Sequence, residues 1–321
     1  MNILIPNVGR RGYLVDYIKQ LPDFNGKVYV SDCDKTASGL YGNNDGHFVL
    51  SRPVDDENAY IQQLKDLCAK YDIKLIIPVI DPEIFILSAA KDQFEPNTTI
   101  LVSDRDVLDI CYNKLNMNEF LKKHGLNVPL TYDNMEDFNK AMAAGEINFP
   151  VIVKPIYGSG SVETQVIHDM ESLNAFFHEG LIIQEFLEGA IEYGSDLFNT
   201  LDKKTVRCVI KRKISMRSGE TDKSITVNNS ELSELLQFVA EKLGHIGNLD
   251  CDTMVKDGKA YVIDLNPRFG GGYPMTHAAG VNLLDIIIRM VNGEDIEPEF
   301  NNYPDGLLVM KTINVVSTLV K

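Results

Sequence analysis

DCDTMVKDGKAYVIDLNPR, residues Asp250–Arg268, reads as a β-hairpin that carries its chemistry on one face. Asp257-Gly258 is a dipeptide suited to the tight two-residue turn that matches strand twist. The flanking runs DCDTMV and AYVIDLN contain strand formers such as Val, Ile, Thr and Tyr. Side chains alternate along a strand, so Asp264, Asn266 and Arg268 share a face and Leu265 points the other way. Asp250 and Asp252 alternate in the same manner on the partner strand. Val262, Ile263 and Leu265 interleave with the polar set, so this strand belongs to a folded core. Oxygens beside a core are unfavourable unless a cation or hydrogen bonds satisfy them. Three or four such oxygens suit Mg²⁺, and Arg268 beside them suits the charge of a transferring phosphoryl group. A solvated, salt-bridged strand face is the competing reading. Pro267 cannot donate to a sheet ladder, so the strand ends there.

Outward from this hairpin, strands dominate from about 181 to 267: LIIQEF, EYGSDLFNT, TVRCVIKRKIS and then the hairpin. Helices are expected at Ser230–Leu243 and Val281–Asn292. Towards the N-terminus the pattern changes. Strands at Asn2–Pro6, Lys27–Ser31, Lys74–Val79 and Thr98–Ser103 alternate with helices at Tyr13–Gln20, Asp56–Tyr71 and Pro82–Ala90. That βαβ series predicts an open parallel sheet with helices on both faces. Asn113–His124 and Met135–Ala144 read as helices, and Val151–Lys154 as a strand. Parallel α/β followed by antiparallel α+β predicts at least two domains.

The chain of 321 residues is long enough for that arrangement, and its 44% hydrophobic and 24% charged residues are ordinary for a globular protein. A formal net charge of −15 argues against a nucleic-acid surface as its main business. The five cysteines lack any CxxC pair, which reads as reduced thiols and a cytoplasmic setting. No apolar run approaches a membrane span.

Two further segments can bind a nucleotide. VIVKPIYGSGS, Val151–Ser161, delivers Lys154 from a strand into a Gly/Ser loop whose backbone N–H groups can approach an anion. An ordinary turn with a solvent-exposed lysine fits it equally well. LIIQEFLEGAIEYGSD, Leu181–Asp196, can offer backbone groups to an adenine edge and a carboxylate to ribose hydroxyls. Taken alone it is more simply two strands joined at Glu188-Gly189. The basic run Lys211–Lys223 suggests an anion site, with a solvated strand face as the alternative.

In this order, Lys114, VIVKP with its loop, QEFLEG…E and DCD…YVIDLNPR resemble the ATP-grasp superfamily across about residues 105–293. The N-terminal stretches IPNVGRRGYLV and IIPVIDPEI are similar to the first domain of the carbamoyl-phosphate synthase large chain and its single-module relatives. The resemblance implies an ATP-grasp fold with an N-terminal Rossmann-like parallel-sheet domain. It would divide the chain into a pre-ATP-grasp domain (1–105), a small subdomain or lid (106–184) and a C-terminal subdomain with a metal site (185–321). It implies that Lys114 and Lys154 contact the ATP phosphates under a flap of Gly158, Ser159, Gly160 and Ser161. Glu185, Phe186 and Leu187 would form the adenine hinge, and Glu192 would hold the ribose. Asp252, Asp264 and Asn266 would bind Mg²⁺ or Mn²⁺. Arg268 would face the γ-phosphate, acting with Lys154 in catalysis, and Gly270–Gly272 would be a flexible segment bordering the acceptor pocket. Two positions depart from the family pattern: Asp264 stands where Glu is common, and Asp252 where Gln or Glu is.

The implied activity is an ATP- and Mg-dependent carboxylate–amine ligase acting on small molecules. It involves no nucleic acid or membrane, and a homodimer is the expected assembly. Arg212, Arg217 and Lys223 are candidates to hold the acid. A non-catalytic nucleotide-binding module and a nicotinamide-dependent oxidoreductase are the alternatives. The second is weakened by GRRG, which places Arg10 and Arg11 where a dinucleotide needs close backbone approach.

Overall fold

Ile3, Leu4 and Ile5 are all fully buried, as the central strand of a sheet covered on both faces requires. They belong to β1 (Asn2–Ile5), which lies among β2 (Val28–Asp32), β3 (Gly46–Val49), β4 (Ile73–Ile76) and β5 (Thr99–Ile100) in the order β3-β2-β1-β4-β5. Every neighbouring pair in this sheet is parallel. The computed structural model describes residues 1–158 and 163–319. Ile3 and Ile5 pack on Leu14, Val15 and Ile18 of α1 (Tyr13–Lys19). Leu4 faces the other way, onto Tyr60, Ile61 and Leu64 of α2 (Glu57–Tyr71) and Leu87 of α3 (Asp81–Ala90). Asp56 caps α2 by accepting the Ala59 N–H at 2.9 Å. The strand order reverses between β1 and β4, the topological switch point at which open α/β sheets bind ligands.

The chain continues through α4 (Arg105–Tyr112) and α5 (Lys114–Lys123) into a four-stranded antiparallel sheet. That sheet contains β6 (Thr131–Tyr132), β7 (Val151–Pro155), β8 (Gln165–Ile167) and β9 (Leu181–Glu185) in the order β6-β9-β7-β8. With α6 (Met135–Ala143) and α7 (Met170–Phe176) it closes a core of Phe138, Val151, Val153, Leu173 and Ile183.

A six-stranded antiparallel sheet completes the fold in the order β14-β13-β10-β11-β12-β15. Its strands are β10 (Ile191–Asn199), β11 (Thr205–Arg217), β12 (Glu220–Thr226), β13 (Gly247–Lys256), β14 (Lys259–Asn266) and β15 (Leu308–Met310). One face packs on α8 (Ser230–Leu243) and on α4 and α5 through Val107, Met117, Leu121, Leu236 and Val239. After α9 (Tyr273–Ala278), α10 (Leu283–Val291) sets Leu283, Leu284 and Ile287 into the same apolar cluster as β1 and α1, which ties the two ends of the chain together.

The expected change from parallel to antiparallel sheets is present. The β13–β14 hairpin turns through Asp257 and Gly258, both with positive φ (50° and 74°), as a primed turn demands. Several elements are additional to those expected. β3 is half-exposed and only four residues long, and α9 carries a proline in its first turn next to a glycine run that reads as a breaker. The basic run Lys211–Lys223 is itself a hairpin of β11 and β12, turning at Ser218 and Gly219 (φ 51° and 76°). The five cysteines are free thiols, and only Cys33 is exposed. Among the described residues no helix is long and apolar enough to cross a membrane.

Candidate active site

A cleft of about 830 Å³ opens between β7 and the face of the six-stranded sheet that carries β11, β13 and β14, and loops from the N-terminal sheet line it as well. Register places its floor. Asp252 lies directly opposite Asp264, and Asp250 opposite Asn266. A bulge after Asp252 shifts the pairing so that Thr253 meets Val262. Like-charged neighbours across an antiparallel pair repel, so these carboxylates need cations. Lys213 of β11 supplies one, with Nζ 2.7 Å from both Glu192 Oε1 and Asp252 Oδ1. Asp264 accepts from Asn266 Nδ2 at 3.1 Å and has Lys114 Nζ at 3.9 Å.

Lys114 opens α5. Asn113 caps that helix, accepting the Leu115 and Asn116 N–H groups at 2.9 and 3.2 Å. Lys114 Nζ donates to the Gly158 carbonyl at 2.6 Å, so the helix start and the loop after β7 are held together. Lys154, near the end of β7, has its ammonium pKa pushed down to about 8 by burial and by Lys114, against the pull of Asp264 and Asp252. On the floor, burial and the neighbouring Asp252 and Asp196 push Asp250 up to about 7. Asp252 is raised as well, by burial first, with Lys213 opposing.

Arg268 follows Pro267 and turns into the cleft. Its Nε donates to Asp81 Oδ1 at 2.7 Å, Nη2 reaches Asn266 Oδ1 at 3.4 Å, and Nη1 lies 3.7 Å from Asp250 Oδ2. Burial works against its charge, but Asp81 and Asp250 outweigh that and hold the guanidinium above its ordinary pKa. Asp81 starts α3 of the N-terminal sheet, 187 residues away in sequence, so the site is assembled across the molecule. Gly270 lets the chain pass Asp250 closely: a Cβ there would stand 2.1 Å from its carboxylate. A Cβ on Gly271 would meet Glu220 at 2.8 Å. Gly270 and Gly271 thus give room to Asp250 and Glu220, and Gly271 and Gly272 line the cleft.

Behind the floor is a second charged group. Lys211 Nζ is paired with Asp196 and donates to Thr276 Oγ1 at 2.7 Å, and Thr276 Oγ1 in turn donates to Asp196. Asn248 Nδ2 donates both to Asp196 Oδ1 (2.8 Å) and to the Arg268 carbonyl (3.2 Å). Asp196 and Lys211 are 0% and 2% exposed.

Lys114, Lys154, Gly158, Glu192, Asp252, Asp264, Asn266 and Arg268 therefore all line one cleft. Ser159, Gly160 and Ser161 lie outside the described residues. Glu185, Phe186 and Leu187 are not among the lining residues. The Glu185 N–H and carboxylate both bond Leu130, at 2.8 and 3.3 Å, and Phe186 and Leu187 enter a tight turn. Arg212, Arg217 and Lys223 are exposed and outside the cleft, which corrects their expected placement at the acid. Alternation along β11 explains Arg212: it points Lys211 and Lys213 inward and Arg212 outward. Sequence reasoning left out Lys213, Asp81, Arg11, Glu220 and the Asp196–Lys211 pair. Lys213 had a visible signal, since it shares a strand face with Lys211. The cross-domain partners Asp81 and Arg11 lie in stretches that carried the family resemblance, IIPVIDPEI and IPNVGRRGYLV, but nothing there marked either as a site residue.

Among the described residues no three His, Cys, Asp or Glu side chains converge tightly enough to hold a metal ion by themselves. The donor set nevertheless fits Mg²⁺, a hard cation commonly held by one or two carboxylates plus phosphate oxygens and water. Asp252 and Asp264 face each other beside the Asn266 amide oxygen, and a cation would relieve the burial and like charge that raise Asp250 and Asp252.

Comparison with known proteins agrees with this geometry. A family model described as ATP-grasp domain matches residues 111–272, and one described as PylC-like, N-terminal domain matches residues 3–102. The carbamoyl phosphate synthase large chain of Archaeoglobus fulgidus is 25% identical over 233 residues, 65% of this chain and 21% of that protein. The arginine-specific large chain of Geobacillus stearothermophilus is 23% identical over 281 residues, 82% of this chain and 26% of that one. The chain thus spans only about a fifth to a quarter of the length of these relatives. The biotin carboxylase domain dimer of Hydrogenobacter thermophilus 2-oxoglutarate carboxylase, solved with MgADP, ADP and bicarbonate, superposes with a TM-score of 0.74 at 15% identity, covering 96% of this chain and 73% of that one. Staphylococcus aureus N5-carboxyaminoimidazole synthetase with ADP gives 0.72 at 18% identity, covering 92% and 78%. At these identities the structural likeness establishes the fold, and the ATP-grasp model covers half of the sequence. The chain belongs to the ATP-grasp family.

Proposed function

We propose that the cleft is the active site of an ATP-dependent ligase, which activates a small carboxylic acid as an acyl phosphate for attack by an amine or a similar nucleophile. The observation that carries this reading is the convergence of Lys114, Lys154, Asp252, Asp264, Asn266 and Arg268 on one cleft from the start of α5, the four-stranded sheet and the six-stranded sheet. A nucleotide-binding module without chemistry has no need of a guanidinium beside the oxygen cluster. The names of the similar proteins, a carbamoyl phosphate synthase and a carboxyaminoimidazole synthetase among them, support a ligase.

In this reading Lys114 and Lys154 hold the phosphates of the substrate ATP, and Glu192 takes the ribose. Ile152, Met254 and Ile263 supply apolar wall. Asp252, Asp264 and Asn266 hold Mg²⁺, or Mn²⁺ in its place, which when bound supplies positive charge against the phosphate oxygens. Arg268, fixed by Asp81, faces the γ-phosphoryl group. A carboxylate oxygen of the acid attacks the γ-phosphorus and ADP leaves. The nucleophile then attacks the acyl carbon, loses its proton, and phosphate departs with the original carboxylate oxygen. The chain contributes positioning and charge neutralisation, which is most of what phosphoryl transfer asks of a protein.

The test is phosphate release with ATP and Mg²⁺ across amino acids and small carboxylic acids, for the wild type and for Asp264→Asn combined with Asn266→Ala. At least a hundredfold loss in the double variant, with unchanged circular dichroism, is expected. Undiminished release sinks the reading. ATP binding by the wild type with no turnover under any pairing favours a non-catalytic nucleotide-binding module.

A further inference from the structure

Arg11 occupies one end of the cleft and its environment is unusual. Its side chain is only 19% exposed, yet among the described residues its guanidinium has no hydrogen-bond partner, and its Nε is buried and unpaired. The nearest carboxylate, Glu220 Oε1, is 4.0 Å from Nη2, beyond hydrogen-bonding distance. Glu220 is already engaged by Lys311 at 3.1 Å and has Arg10 at 3.9 Å, so three cations surround a single carboxylate. A largely buried guanidinium with empty donors is costly unless something completes it.

The loop that carries Arg11 is built rather than slack. It follows β1 at the carboxyl end of the strand, beside the β1/β4 switch point. The Gly9 N–H donates to Asp32 Oδ2 and the Gly39 N–H donates to the Gly9 carbonyl, both at 2.8 Å. Gly39 is confined as well, since a Cβ there would lie 2.7 Å from Val8. A planar guanidinium carried on such a loop is suited to a bidentate oxyanion. The phosphates of ATP are assigned to Lys114, Lys154 and Arg268, which leaves Arg11 to a carboxylate of the other substrates.

We infer that Arg11 binds a carboxylate of a substrate that takes no part in bond making, so that at least one of the two co-substrates carries a carboxylate besides the group that reacts. This rests on the ligase reading of the cleft and names a specificity residue for it. Two sources share that chemistry: a second carboxylate on the acid, or a carboxylate on the amine.

The test is titration calorimetry of the intact chain saturated with ADP and Mg²⁺. Succinate is compared with butyrate for the first source, and β-alanine with propylamine for the second. In at least one pair the wild type should bind the carboxylate-bearing member at least tenfold more tightly than its match. Arg11→Gln should abolish that preference while changing ADP affinity less than twofold, and Arg11→Lys should keep part of it. No preference in either pair, a preference that survives Arg11→Gln, or an equal loss of ADP affinity each overturns the inference. Because the measurement needs no turnover, its failure is distinguishable from failure of the ligase reading, which the phosphate-release screen tests. Turnover that is indifferent to Arg11 refutes this inference alone.

Discussion

Lys211 and Lys213 stand two residues apart on one strand and point the same way, yet they belong to different kinds of charge. Lys211 is sealed with Asp196 behind the cleft, and Thr276 and Asn248 saturate the pair. Lys213 bridges Glu192 and Asp252 on the cleft floor, where those carboxylates remain 33% and 24% exposed. The first pair fixes where β10, β11 and α9 meet, and so positions the backbone from which Arg268 projects. The second keeps two carboxylates apart in a place that a ligand can enter. Identical residue types at strand spacing thus divide into scaffold and site by what closes over them.

The sharpest way to break that distinction is Lys211→Met. Asp196 would be left as a buried charge without its cation, and breaking a buried pair from one side costs roughly 3–5 kcal/mol. A denaturant melt should show that loss, and Lys211→Met with Asp196→Asn should recover most of it. If Lys211→Met leaves stability within 1 kcal/mol, as an order of magnitude, the pair is not scaffold.

A scaffold charge on the N-terminal side sharpens the comparison through pH. Glu83 is fully buried beneath the start of α3 and accepts from Asn7 Nδ2 at 2.8 Å and from the Tyr60 hydroxyl. Burial pushes its carboxyl from an ordinary 4.5 up to about 7, with Asp32 adding to that and Tyr60 and Asn7 opposing it. The folded chain therefore keeps a proton that the unfolded chain has lost. Stability contributed at low pH declines as pH rises from about 4.5 to about 7 and is flat above that. Glu83→Gln should remove this dependence, worth up to about 3 kcal/mol. Melting curves at pH 5 and pH 8 that shift equally in wild type and variant would contradict it.

Lys213→Met should give the smallest energetic effect and the opposite profile. Turnover should fall about 10- to 100-fold as Glu192 and Asp252 are left to repel each other and the phosphates. Stability should change by less than about 1 kcal/mol, because both carboxylates still reach water. A variant that unfolds like Lys211→Met would erase the contrast between the two lysines.

The same contrast explains what was legible in the sequence. The β13–β14 hairpin could be read because its turn residues, its alternation and its polar face are all local, whereas the bulge that sets Asp252 opposite Asp264 left no signal there. Lys154 stood out by the Gly/Ser loop that follows it, and Lys114 only by its place in the order of the family's segments. Arg212, Arg217 and Lys223 were picked by charge density, a signal blind to which strand face points inward. Asp81 and Arg11 sat in stretches that were noticed, but their role was not legible, because it arises only when the loops after β1 and β4 of the parallel sheet are brought against the six-stranded sheet. The glycine run could be seen, but not the room that Gly270 and Gly271 yield to Asp250 and Glu220, because those neighbours lie on other strands.

The central claim is that an oxygen of the acid passes through an acyl phosphate in the cleft that holds Arg268. The most direct measurement supplies ¹⁸O-carboxylate-labelled acids from the phosphate-release screen together with ATP, Mg²⁺ and amine, and weighs the phosphate released. The account predicts phosphate carrying one ¹⁸O atom, absent when the acid is omitted. Acid-dependent phosphate that carries no label would contradict it.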